Sequence, residues 1–151
     1  NISIALQKID PVNASRFATN AAQFIARLKK LEMEIAEGLL PLKHKPFITY
    51  HDAFPYFVRR YGLNLTGVVE PIPDQEPSTK YLSILLREAR EKKVKVLFAE
   101  PQFSSRSMMQ IAADLKIPVA ELDPLETGSL ALDAYENGMR KNLRTLEKYL
   151  K

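Results

Sequence analysis

The stretch Tyr50-His51-Asp52-Ala53-Phe54-Pro55-Tyr56-Phe57 places one of the chain's 2 histidines at the end of an apolar strand pattern, immediately before a helical one. Open α/β sheets hold ligands at such junctions, beyond the carboxyl ends of their strands. A second junction of the same kind follows where Pro118-Val119-Ala120-Glu121-Leu122 runs into Asp123-Pro124-Leu125 and then a long helical pattern. An imidazole and a carboxylate, each at a strand end, read as part of a metal site.

Outward from His51, short apolar strands alternate with helices, the signature of βαβ units and a parallel sheet. The strands are expected at Pro46 to Tyr50, Leu65 to Glu70, Val94 to Ala99 and Pro118 to Leu122. Helices are expected at Phe54 to Tyr61, Ser78 to Lys93, Ser105 to Leu115 and Leu130 to Leu150, with a proline-stiffened loop at Pro71 to Pro77. Ahead of the sheet, Asp10-Pro11 carries a helix-start signal, and Ala14, Phe17, Ala21, Phe24, Leu28, Leu31 and Ile35 form one apolar stripe that Gly38 and Pro41 should end. Right-handed crossovers in a doubly wound sheet favour the strand order 2-1-3-4, so the ligand crevice opens between the first and third strands. Its rim would carry His51, Glu100 and Asp123.

At 151 residues the chain suits one domain with a real core. Its apolar and charged fractions, 46% and 26%, are those of an ordinary globular protein, and no apolar run approaches the roughly 18 residues that span a bilayer. The net charge of +4 raises nucleic-acid binding, but the basic residues are interleaved with acids, as in Arg87-Glu88-Ala89-Arg90-Glu91-Lys92-Lys93, which is the solvated face of a helix and no nucleic-acid footprint. There is no cysteine, so a metal must be held by His, Asp, Glu or water. The opening residues, Asn1 to Gln7, lack an initiator Met and a signal-peptide pattern and read as a cut into a longer chain.

Each candidate has a plainer reading. His51 could be satisfied by backbone, yet Asp52 beside it is placed to cap the next helix, which leaves the imidazole a separate task. His44, in a Lys-His-Lys turn, is expected in solvent. Asp123 before Pro124 is also a common helix cap, and Glu100 is either a ligand, a partner for an imidazole, or a loop acceptor. Ser104 and Ser105 supply hydrolase residue types, but no Gly-x-Ser-x-Gly elbow surrounds them, and Gly-rich phosphate loops are absent.

With those residues in view, the chain resembles the carboxyl-terminal lobe of periplasmic zinc receptors of ABC importers, the ZnuA type of the manganese/zinc-binding family. The resemblance rests on Asp10-Pro11 and the long helix, on His51-Asp52-Ala53-Phe54 with Tyr56-Phe57 and Tyr61-Gly62-Leu63, and on Phe98-Ala99-Glu100-Pro101-Gln102-Phe103. Leu122-Asp123-Pro124-Leu125 and the closing Tyr135, Met139, Asn142 and Leu143 extend it. It implies one α/β lobe of a two-lobe metal receptor, with residues 1–40 as the interlobe linking helix region and 41–151 as the carboxyl-terminal lobe. It further implies His51 and Asp123 as metal ligands, two more histidines from an amino-terminal lobe absent here, and a membrane permease as partner. The manganese members carry Glu at the position of His51, so Zn2+ is expected over Mn2+. The location implied is periplasmic or extracytoplasmic, and the expected activity is binding without catalysis. Within the family the alternative is a manganese or mixed-metal receptor; from another class it is a small α/β metallohydrolase around His51, Glu100 and Asp123. The lobe alone is expected to self-associate or to retain its other half. One departure stands out: Leu125-Glu126-Thr127-Gly128 replaces a glycine that often follows Asp-Pro-Leu in the family.

Overall fold

A computed structural model describes residues 1–72, 75–101 and 106–151, except for the side chains of residues 106 and 107. The expectations for Ser104, Ser105, Gln102 and Phe103, and for the middle of the Pro71 to Pro77 loop, lie outside the described residues. The chain divides into two compact units, Asn1–Ala36 and Glu37–Lys151. None of the described helices is long and apolar enough to cross a membrane.

The first unit contains α1 (Ile2–Ile9) and most of α2 (Ala14–Leu39). A short helix opens the chain where the sequence carried no helix-start signal, and its Ile2, Ile4 and Ile9 are all exposed. Asp10 ends it, and its carboxylate accepts the Asn13 amide at 3.3 Å around the turn of 3-10 helix at Pro11–Asn13. The long helix therefore starts three residues later than Pro11 suggests and runs 26 residues, roughly 39 Å at 1.5 Å per residue.

The second unit is built on four parallel strands, β1 (Pro46–His51), β2 (Asn64–Glu70), β3 (Leu97–Ala99) and β4 (Val119–Glu121), in the order β2-β1-β3-β4. This is the expected order. The helices α3 (Pro55–Tyr61), α4 (Thr79–Glu91), α5 (Arg106–Leu115) and α6 (Ala134–Leu150) complete the fold. Alternation along β1 sends Ile48 and Tyr50 into a cluster with Val69, Leu85, Ala89, Leu97 and Ile111, so α4 and α5 cover that face. Phe47 lies on the opposite face, edge-to-face with Phe98 at 5.5 Å between ring centres. At their carboxyl ends β1 and β2 stop with His51 directly opposite Glu70.

Several boundaries depart from expectation for definable reasons. Helix α3 begins at Pro55 with Phe54 as its cap residue, so Asp52 does not cap it; the residue before a proline avoids helical angles, which holds Phe54 outside the helix. Gly38 does not stop α2. A Cβ there would lie 2.8 Å from Leu143 Cδ1, so this glycine gives α6 room to pack. Helix α6 starts at Ala134, leaving Leu130 and Leu132 exposed in the preceding loop. Gly62 at the end of α3 is left-handed, φ 64°, and its amide donates to the Val58 carbonyl, a helix ending that favours glycine.

Candidate metal centre at the carboxyl edge of the sheet

The imidazole of His51 is fixed on three sides. Its Nδ1 lies 2.9 Å from Glu100 Oε2. A carboxylate can only accept, so Nδ1 carries the proton, and in the neutral ring the lone pair is on Nε2. The Tyr50 ring meets the imidazole edge-on, centres 4.7 Å apart. On the other side Nε2 faces Glu70 Oε1 at 3.8 Å. Both His51 and Glu70 side chains keep 17% of their surface accessible, whereas Glu100 is almost fully enclosed at 3%. Glu100 Oε1 is buried with no hydrogen-bond partner among the described residues.

These positions follow from the sheet. Glu100 directly follows β3, the neighbour of β1, and Thr49 pairs with Phe98, so the same register sets Glu100 beside His51. Glu70 is the residue that sequence reasoning missed. It closes β2, and its place opposite His51 depends on a register irregularity between Phe47 and Ile48.

Asp123 lies farther along the edge. Two strand steps separate β4 from β1, roughly 10 Å at 4.8 Å per step. Its backbone is pinned by Asn142 of α6: the Asp123 amide donates to Asn142 Oδ1 at 2.9 Å, and Asn142 Nδ2 donates to the Asp123 carbonyl at 2.6 Å. Its carboxylate accepts the Leu125 amide at 2.8 Å, closing a turn inside the loop, so Asp123 does not cap α6. Leu125 is consequently left-handed, φ 62°, an uncommon conformation for a residue of its type.

Asp123 also borders a cavity of about 370 Å³ walled by Phe54, Phe57, Tyr61, Tyr135 and Met139. His51 is not part of that lining. Burial pushes the Tyr61 hydroxyl above its ordinary pKa, partly offset by Arg60, so it stays neutral and offers no anionic donor at pH 7. His44 is exposed in its turn, as its sequence context implied.

The donor chemistry suits a borderline cation. An imidazole whose far nitrogen is held by a carboxylate is the usual arrangement of a metal-binding histidine. Among the described residues no group of three or more His, Asp or Glu side chains is gathered closely enough to hold an ion.

Residues 1–149 match the family model described as zinc-uptake complex component A, periplasmic. The zinc-binding protein AdcA of Streptococcus pyogenes serotype M3 is 36% identical over 150 residues, which cover 97% of this chain and 29% of that protein. The high-affinity zinc uptake system protein ZnuA of Brucella abortus is 30% identical over 125 residues, 83% of this chain and 37% of that protein. Among solved structures, a crystal structure of ZnuA superposes with a TM-score of 0.84 at 32% identity, covering 99% of this chain and 56% of that one. A zinc-bound ZnuA deletion mutant gives a TM-score of 0.82 at 31% identity, over 99% and 55%. The chain thus spans about a third of the length of these curated relatives and just over half of the solved ones. With nearly its whole length matched by the family model, the chain belongs to the ZnuA family of zinc-uptake components.

Proposed function

We propose that this chain is the carboxyl-terminal half of an extracytoplasmic receptor that captures Zn2+ and delivers it to the membrane permease of an ABC importer, with no chemical turnover. The observation that carries the reading is the His51 Nδ1 contact with Glu100 at 2.9 Å, made by a carboxylate enclosed to 3% exposure. Burying a carboxylate is costly unless it is paired, and the paired ring is thereby fixed with Nε2 as its metal-binding nitrogen. His51 and Asp123 are the ligands this lobe contributes, and Glu100 orients His51. A stable zinc site takes about four ligands, so the others come from a second lobe, as the length of the relatives supports. Residues 1–40 form the linking region between lobes, and 41–151 the lobe itself. An imidazole at position 51 favours zinc over manganese.

The reading is tested by competition titration of zinc against a chelator of known affinity in the full receptor. His51→Ala should weaken binding strongly and His44→Ala should leave it unchanged. Equal effects of the two substitutions would overturn it.

A further inference from the structure

We propose that Glu70 is a direct metal donor, sharing the ion with His51 Nε2. This rests on the reading of His51 as a zinc ligand and adds one donor to the about four which that reading counts, a fifth position that zinc can take. The separation between Nε2 and Glu70 Oε1 is 3.8 Å. That is too long for an N–H···O hydrogen bond, which spans roughly 2.7–3.2 Å. It is close to the edge of a zinc coordination tetrahedron: two donors about 2.05 Å from the metal at the tetrahedral angle lie roughly 3.35 Å apart. A closure of about half an ångström, within the reach of small rotations of both side chains, brings the pair onto one ion.

The orientation of the ring points the same way. With Nδ1 engaged by Glu100, Nε2 is the ring nitrogen turned toward the Glu70 carboxylate, and a cation placed between the two would be held by both. Glu100, nine-tenths or more buried and with Oε1 lacking a partner among the described residues, holds the ring in this attitude from behind.

The backbone is arranged to produce the pair. Phe47 is opposite Leu65, but Ile48 is opposite Gly67, so Thr66 is an extra residue in β2. Without it, the register would set apolar Val69 opposite His51; with it, Glu70 takes that place. An inserted residue that re-aims a side chain beside a site is a recurrent use of such irregularities. Gly67 makes the distorted strand fit, since a Cβ there would lie 2.4 Å from Leu85 Cδ1.

The test uses the full receptor with Glu70→Gln, Glu70→Ala and His51→Ala, read by zinc competition titration and by zinc K-edge X-ray absorption. Thermal unfolding of each metal-free variant confirms that it folds as the parent does. Glu70→Ala is expected to weaken zinc binding at least tenfold and to remove one oxygen from the shell at about 2 Å; Glu70→Gln, which keeps one neutral oxygen, should fall between parent and Ala. If both Glu70 variants bind within twofold of the parent with unchanged spectra while His51→Ala is impaired, Glu70 is no ligand and the receptor reading stands alone. If His51→Ala binds as the parent does, both fall.

Discussion

Asn142→Ala probes the support beneath Asp123. The Asn142 side chain is 5% exposed, and it satisfies both the amide and the carbonyl of Asp123, at 2.9 and 2.6 Å. Alanine removes both partners at once. A buried backbone group left without its hydrogen bond costs about 1–3 kcal/mol, so two would cost roughly 2–6 kcal/mol if both stayed dry. Asp123 borders an open cavity, and water can reach part of this surface, so the lower half of that range, about 2–4 kcal/mol, is the expected loss. For a domain of this size that lowers Tm by roughly 4–16 °C. Asn142→Asp should be at least as damaging, because it keeps the acceptor for the Asp123 amide but turns an oxygen toward the Asp123 carbonyl. The assay is urea unfolding followed by circular dichroism, comparing midpoints at unchanged slope. A loss below about 0.5 kcal/mol for Asn142→Ala, the range of an ordinary surface substitution, would refute the pinning argument.

Other outcomes follow from single contacts. Glu100→Gln keeps the shape of the side chain but replaces a charged acceptor with a neutral one, so zinc affinity in the full receptor should fall about 10- to 100-fold without vanishing; unchanged affinity in a competition titration would reduce Glu100 to a structural carboxylate. Gly62→Ala should destabilise by about 1–2 kcal/mol, since φ there is 64° and the space around it is otherwise open, with Gly62→Asn losing less; chemical denaturation measures both. Gly138→Ala would set a Cβ 2.5 Å from Leu125 Cδ2, displacing the loop that holds Asp123, and should lower zinc affinity more than it lowers stability. The 151-residue chain alone should bind zinc poorly and associate with itself or with its other half; sedimentation at several zinc concentrations checks this, and a monomer with nanomolar zinc affinity would contradict it.

The sheet is readable in the sequence because each strand announces itself locally. Proline or charge bounds the apolar runs that hold the strands, although β3 begins only at Leu97 within the run expected from Val94 and β4 covers Val119–Glu121 of the run expected from Pro118, and the helices between them leave a parallel order as the economical one. His51 and Glu100 were readable as neighbours because consecutive parallel strands in that order bring their carboxyl ends together. Glu70 was not, since its position turns on one extra residue at Thr66, and a single-residue shift leaves no trace in an apolar pattern that continues on both sides of it. The support of Asp123 by Asn142 was equally hidden: the two are brought together only by the packing of α6 beside β4. Asp52 misled for a local reason, because Pro55 delays the helix beyond the reach of that cap.

The central claim is that the carboxyl edge of this sheet, at His51, is where the metal binds. Anomalous diffraction at the zinc edge from crystals of the zinc-loaded receptor tests it most directly. A peak about 2.0–2.1 Å from His51 Nε2, with Glu100 still on Nδ1, is the predicted result. A peak remote from His51, or one bound through Nδ1 with Glu100 displaced, would contradict it.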